Sequence, residues 1–150
     1  MICFLLLLTF VFRKGENVST AEVGHVLSGC SGVSDVSVYG VEVPKCDGRA
    51  GMAIITLTDG LPLHNFDWQS LQRTCEANLP IYARPLFIRV QKEIKTTGSF
   101  KHIKGESVKE GFDPQKCSGD PLFFNHSKEK KFIPLTAEVY KDIVSGKYQL

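Results

Sequence analysis

The sequence predicts an α+β fold, in which a small three-stranded sheet packs against helices and a C-terminal hairpin and helix form a tail. Helical periodicity and β-branched runs alternate as helix, strand, strand, helix and strand over about 80 residues. Near residue 114 the pattern changes to short apolar runs around a polar turn. The chain has 150 residues, 43% hydrophobic and 23% charged, which suits a globular domain with a tail.

Two helices of the core are marked by N-capping residues. Ser19 and Glu22 have the spacing of a capping box, in which the serine accepts a hydrogen bond from the backbone three residues later. Asp67 can cap a second helix, which Pro80 stops. The apolar positions at helical spacing are Val23, Val26 and Leu27 in the first helix and Trp68, Leu71, Cys75 and Leu79 in the second.

Three segments are predicted to form strands of the sheet. Residues 33–43 alternate between apolar and polar positions, with a break expected at Gly40. Residues 52–57 form a β-branched apolar run, which is typical of a buried strand. Residues 86–90 give the third strand, directly after a proline.

The C-terminal part predicts a hairpin and a short helix. Apolar residues 122–124 and 131–133 flank the polar segment 125–128, as two strands flank a turn. Thr136 can cap a last helix. Its apolar positions are Val139, Tyr140, Ile143 and Val144.

Charge and cysteine usage exclude several classes of function. The net charge is only +2, and the one dense basic stretch, residues 92–109, also holds two glutamates, so we expect no nucleic-acid partner. Both a solvated surface and a phosphate-facing role stay open for that stretch. Five widely spaced cysteines without a C-x-x-C pair argue against a zinc site or a disulfide framework and favour a reducing compartment.

Pattern alone predicts no active site. The four histidines are scattered, and no zinc-protease, serine-hydrolase, P-loop or dinucleotide-binding motif occurs. Two glycine turns beside basic residues remain, around Gly15 and Gly98. The backbone NH groups of such turns, together with lysine, can hold phosphate, although the same turns also serve as plain connectors.

Residues 1–12 differ from the rest, because all except Thr9 are apolar. The run is shorter than the ~18–20 residues of a membrane-spanning helix. It lacks the basic start and the clear cleavage site of a signal peptide. A poor signal peptide, a membrane-surface anchor and a segment foreign to the domain are the three alternatives, and we expect the last.

Residues 14–23 (KGENVSTAEV) resemble a segment of the fatty-acid transport protein/very-long-chain acyl-CoA synthetase family. Further stretches resemble that family in the same order, which makes the set specific although each motif alone is weak. These stretches are residues 38–41, 48–53, 79–85, 97–101 (TGSFK), 111–114 (GFDP), 121–124 and 140–143.

The resemblance implies a place among the adenylate-forming ligases. In such enzymes a large N-terminal domain binds ATP, Mg²⁺ and the fatty acid, and a small C-terminal lid rotates between acyl-adenylate formation and attack by CoA. The expected organisation is an apolar leader at 1–12, the lid at 13–113 and a family-type tail at 114–150. We expect the chain alone to bind no cofactor and to be inactive; the alternative is a non-catalytic binding or membrane-tethered module.

The resemblance also suggests residues for both half-reactions. Gly15 matches the segment that lines the pantetheine tunnel, where a side chain would obstruct close approach. Glu16 and Asn17 would flank that tunnel, or else simply form a turn before a helix cap. Arg49 would meet CoA phosphates, with a structural role in its loop as the alternative.

The adenylation lysine of the superfamily directly follows a glycine, whereas here Ser99 follows Gly98. Lys101 is therefore the catalytic candidate, and Lys104 a further phosphate-binding candidate.

The front of the chain departs from the family. Residues 7–13 stand where the family has a hinge containing aspartate, and that aspartate is missing. We therefore expect the leader to derive from non-coding sequence or an alternative first exon. The resemblance implies membrane association at the endoplasmic reticulum or the peroxisome, facing a cytosol-like reducing environment.

Overall fold

The computed structural model describes residues 9–11, 17–44, 48–92 and 107–148. Residues 107–110 in that part are helical. The bounded elements, in chain order, are β1 (Thr9–Val11), β2 (Asn17–Ser19), α1 (Thr20–Ser28), β3 (Val33–Glu42), β4 (Arg49–Leu57), α2 (Trp68–Asn78), β5 (Phe87–Val90), β6 (Leu122–His126), β7 (Lys131–Pro134) and α3 (Ala137–Val144).

The main sheet has the strand order β3-β4-β5-β6-β7. Only β4 and β5 run parallel, and the other neighbours are antiparallel. A second, two-stranded sheet pairs β1 with β2, so residues 9–11 of the predicted leader lie against the strand that precedes α1.

The α+β class is confirmed, but the predicted three-stranded sheet is wrong in its strand number. The C-terminal hairpin joins the sheet: Phe124 of β6 is the register partner of Phe87 of β5, and β7 pairs with β6. Without the hairpin, β5 would expose a row of unpaired backbone groups at an edge. The expected break at Gly40 is also wrong, because β3 continues through that residue, opposite Gly51.

The predicted helix caps are confirmed. Ser19, Asp67 and Thr136 each accept a hydrogen bond from the backbone NH three residues later, over 3.3, 3.0 and 3.3 Å. Each bond satisfies one of the NH groups that the first turn of a helix leaves without a partner.

The sheet carries a hydrophobic core on each face. Alternate residues of β4 point to opposite faces, and both sets are buried, which explains the nearly continuous apolar sequence of this strand. The core on the α1 and α2 face includes Val23, Leu27, Leu71, Cys75, Ala53, Ile55 and Ile88. The core on the opposite face includes Tyr39, Met52, Ile54, Phe87, Phe112, Phe124 and Ile143.

Trp68 at the start of α2 packs against the hairpin. Its ring lies 4.2 Å from that of Phe123 and 5.5 Å from that of Phe132, between ring centroids. The helix therefore contacts the predicted tail as well as the predicted lid.

In the described ranges, no helix combines the length and the apolar character needed to cross a membrane.

Candidate functional site

Most of the predicted site residues lie outside the described residues. This applies to Gly15, Glu16, Lys101 and Lys104, and also to the turn around Gly98. Their roles stay predictions. Asn17 is described as the first backbone position of β2, where it pairs with Val11.

Arg49 opens β4 at the rim of a surface groove of about 750 Å³. It is exposed, and its register partner is Glu42 at the end of β3. The charged residues of this first groove are Glu42, Arg49, Lys109, Glu110, Asp113 and Lys116. Because three carboxylates offset three cations, the groove is not a strongly positive anion site, and contact between Arg49 and CoA phosphates stays a prediction.

A second groove, of about 860 Å³, lies where β5 leaves the sheet. Lys92 and Ser107, the described residues on either side of segment 93–106, both line it. That segment contains Lys101 and Lys104. The residues that flank the segment with the predicted adenylation lysine therefore both line one groove.

Arg89 lies at the base of the second groove and is only 4% exposed. Its Nε donates to Asp120 Oδ2 over 2.9 Å, and its guanidinium forms ion pairs with both Asp120 and Glu110. Gln91 Nε2 also donates to Asp120 Oδ2, over 3.1 Å. Planar guanidinium groups suit such multiple contacts, because their donors form a rigid fork.

The ion pairs keep Arg89 charged inside the protein. Burial alone would lower the pKa of its guanidinium, but hydrogen bonds to Glu110 and Asp120 raise the pKa overall. Glu110 and Asp120 remain about one third exposed, at 33% and 29% of their side chains. The carboxylates therefore connect the buried guanidinium to the surface of the groove.

Neutral buried groups surround this cluster. Burial raises the pKa of the Tyr39 hydroxyl, which lies near Arg89 and Ser107. Burial also raises the pKa of the Cys117 thiol, to about 11. Both groups are thus uncharged at neutral pH, and Arg89 provides the positive charge of the groove base.

The described residues do not suggest a metal centre. In the four described ranges, no group of three or more histidine, cysteine, aspartate or glutamate side chains is placed to hold a metal ion. Carboxylate oxygens are the preferred protein ligands of Mg²⁺, and two of the three carboxylates that line the second groove, those of Glu110 and Asp120, are already paired with Arg89. Mg²⁺ is therefore not assigned to these residues.

Sequence reasoning missed the Arg89 cluster. One feature of the sequence could have indicated the cluster: Arg89 lies inside the apolar strand 86–90. A charged residue is rarely buried without a partner, so a buried arginine there implies one. The partners themselves, Glu110 and Asp120, are 21 and 31 residues away and have no distinctive local pattern.

Comparison with known proteins relates the chain to one domain of larger enzymes. Residues 22–101 match the sequence model described as AMP-binding enzyme C-terminal domain. The chain is 43% identical over 137 residues to long-chain fatty acid transport protein 6 of Mus musculus, covering 91% of this chain and 22% of that protein. It is 46% identical over 142 residues to human long-chain fatty acid transport protein 1, covering 95% and 21%. The chain thus spans about a fifth of the length of these relatives.

Solved structures give the same relationship. The fold matches a Mycobacterium tuberculosis fatty acyl CoA synthetase with a TM-score of 0.57 and 25% identity, over 69% of this chain and 19% of that one. It matches o-succinylbenzoate CoA synthetase from Bacillus subtilis with a TM-score of 0.53 and 25% identity, over 68% and 20%. Coronafacic acid ligase from Pectobacterium brasiliense shares the fold at a TM-score of 0.61 and 17% identity, over 77% and 21%.

Proposed function

The chain belongs to the AMP-binding enzyme C-terminal domain family, and from this we propose that it acts as the C-terminal lid of a long- or very-long-chain fatty acid–CoA ligase. The overall reaction would convert ATP, a fatty acid and CoA into acyl-CoA, AMP and pyrophosphate. The observation that carries the proposal is the family match over residues 22–101, within relatives that align along 91% or more of the chain.

The proposed chemistry has two steps, each needing a different surface of the lid. In the first, a carboxylate oxygen of the fatty acid bonds to the α-phosphorus of ATP, and pyrophosphate leaves. Lys101 would stabilise the negative charge on the carboxylate and the α-phosphate during this step. In the second step the CoA thiolate attacks the acyl carbon, and AMP leaves. Gly15 would leave room for the pantetheine chain.

The larger N-terminal domain is the proposed partner of this chain. That domain would supply the sites for ATP, Mg²⁺ and the fatty acid, while the lid contributes a few side chains and excludes water. This division explains why we expect the isolated chain to form no acyl-CoA.

The proposal extends to a location at the membrane of the endoplasmic reticulum or the peroxisome, on a reducing side. The resemblance to fatty acid transport proteins supports the membrane, and the free, buried thiols of Cys30, Cys75 and Cys117 support the reducing environment. Fractionation of cells that express a tagged chain would test this part, and recovery with secreted proteins would contradict it.

A chimera tests the proposed function. Residues 13–150 would replace the matching C-terminal segment of mouse long-chain fatty acid transport protein 6, with a truncation lacking that segment as the control. We expect the chimera to form palmitoyl-CoA from palmitate, ATP and CoA well above the truncation, and the isolated chain to form none. A folded chimera no more active than the truncation would contradict the proposal and favour the non-catalytic binding module.

A further inference from the structure

We propose that the turn between β6 and β7 is a contact surface for an anionic membrane, with Lys128 and Lys130 binding the negative lipid headgroups. Residues 127–131 of this turn are called the basic tip. The surface itself is argued from described contacts. The choice of a membrane as its partner rests on the proposed function above, which includes a location at a membrane.

The basic tip has an excess of positive charge. Three of its residues are lysines, at positions 128, 130 and 131, and one is a glutamate, Glu129. All four residues are exposed. Glu129 pairs with Lys131 over 3.7 Å, whereas no carboxylate of the described residues pairs with Lys128 or Lys130. Two ammonium groups are therefore available to an anionic partner.

The basic tip projects beyond the main sheet. The register between β5 and β6 ends at Phe124, while β6 and β7 continue to pair with each other as far as His126 and Lys131. Neither of the two grooves described above is lined by residues of the tip. Exposed charge on a projecting turn suits a flat partner that carries charge over an area, as an anionic bilayer does.

Hydrogen bonds order the backbone of the basic tip. The Nδ1 atom of His126 accepts from the backbone NH of Glu129 over 3.2 Å, and the His126 carbonyl accepts from the backbone NH of Lys130 over 2.8 Å. The ring of Tyr148 lies 5.3 Å from those of both His126 and Phe124, between centroids. Because the turn is already ordered, binding costs little further conformational entropy of the backbone.

The backbone of Lys130 is strained. Its φ is +51°, in the left-handed region. The other described residues with positive φ are Ser118 and six glycines. Glycine adopts this conformation without the steric cost that a Cβ brings, so lysine lowers stability at this position. Such strain often marks a functional residue, and the proposal accounts for it through the charge that the lysine side chain contributes.

The size of the charged surface favours a membrane over a nucleic acid. Proteins that bind nucleic acids usually have a larger basic face, and the net charge of this chain is only +2. A few lysines strengthen binding to an anionic bilayer about fivefold each. Two of them orient a domain at a membrane and act together with a second attachment.

Sedimentation of the whole chain with lipid vesicles tests the proposal. The vesicles would contain phosphatidylcholine alone, or phosphatidylcholine with about 30% phosphatidylserine to supply the anionic surface. We expect tighter binding to the vesicles with phosphatidylserine, and a smaller difference as salt is added, because ions screen the attraction. Binding to phosphatidylcholine alone measures the contribution of the apolar residues 1–12.

A double variant removes the two available charges. Lys128→Gln together with Lys130→Gln should weaken binding to phosphatidylserine vesicles about 25-fold, since each lysine contributes about fivefold. Binding to phosphatidylcholine alone should stay unchanged. The matched control is Lys109→Gln together with Lys116→Gln, which removes the same charge from exposed residues of the first groove and should weaken binding much less.

Lys130→Gly separates loss of charge from loss of folding. Glycine relieves the strain of the positive φ, so the urea midpoint should not fall. Binding to phosphatidylserine vesicles should nevertheless weaken about fivefold.

Several results would overturn the proposal. They are equal binding to the two kinds of vesicle, equal weakening by the two double variants, and unchanged binding of Lys130→Gly. Tighter binding to duplex DNA or to polyglutamate than to phosphatidylserine vesicles at the same salt concentration would assign another class of partner and overturn it too. The vesicle assay involves no ligase chemistry, so its failure leaves the proposed lid function intact, and an inactive chimera leaves a positive vesicle result intact.

Discussion

Phe87 of β5 stacks on Phe112, with ring centroids 4.3 Å apart and ring planes within 6° of parallel. Phe87 lies inside the matched family domain and Phe112 beyond it. Phe112 in turn lies 5.2 Å from the ring of Tyr140 on α3. Residues beyond the matched domain, including Phe112 and Tyr140 on α3, therefore share a core with it.

Truncation of Phe112 tests this shared core. Its side chain is buried, so Phe112→Ala should lower the free energy of unfolding by about 3–5 kcal/mol. Urea denaturation measures the change. Ile81→Ala is a matched control, because Ile81 is 79% exposed and its truncation should change stability by about 0.5 kcal/mol or less. Equal effects of the two substitutions would contradict the packing described here.

We also expect the hairpin to unfold together with the matched domain. Trp68 is the only tryptophan, and its ring contacts Phe123 and Phe132 of the hairpin. Tryptophan fluorescence and far-UV circular dichroism should therefore follow one coincident urea transition. A fluorescence transition at clearly lower urea would show that the hairpin separates first, as an independent tail would.

Gly32 and Gly60 form a matched pair for backbone strain. Both have positive φ, +88° and +79°, so alanine at either costs about 1–2 kcal/mol. A Cβ at Gly32 would also lie 2.8 Å from Leu61 Cδ2 and 3.3 Å from Phe66 Cδ2, while a Cβ at Gly60 meets nothing within 4 Å. Gly32→Ala should therefore destabilise more than Gly60→Ala, by about 1 kcal/mol or more in urea denaturation. The opposite order would contradict the turn geometry.

Stability should fall in alkaline solution because of buried thiols. Burial raises the pKa of Cys75 to about 12 and that of Cys117 to about 11, from an ordinary value of 9.0. The unfolded chain therefore loses these protons first, so the thiols' contribution is complete below about pH 9 and disappears as pH rises to about 12. Urea midpoints across this range measure the effect.

A matched variant isolates the thiol contribution. Cys117→Ala removes one titrating group. The free energy of unfolding should therefore fall less steeply between pH 9 and pH 11 than in the unsubstituted chain, whatever the effect of the substitution at pH 7. An unchanged slope would show that other groups cause the alkaline loss.

Local pattern predicted most individual elements but not their assembly. The capping side chains of Ser19, Asp67 and Thr136 act over three residues, so they are readable from sequence. The pairing of β6 with β5 depends on contacts about 35 residues apart, which leave no local periodicity. This is why the strand number was underestimated, although both hairpin strands were predicted.

The candidate site also has a part that local sequence predicts and a part that depends on tertiary contacts. Motif resemblance suggested Gly15 and Lys101, which local sequence can reveal. The Arg89 cluster is a tertiary arrangement, in which a buried charge depends on Glu110 and Asp120 from distant parts of the chain. Only the arginine itself was visible in advance, as a charged residue in an apolar strand.

We propose that this chain acts as a lid with separate roles in two half-reactions, and separate timing of the two steps tests this proposal. In the chimera, acyl-adenylate formation and thioester formation from supplied acyl-adenylate would be timed separately for Lys101→Ala and Gly15→Leu. We expect Lys101→Ala to slow mainly the first step, by about 10²-fold or more, and Gly15→Leu to spare the first step and block the second. Equal loss of both steps in both variants would contradict it.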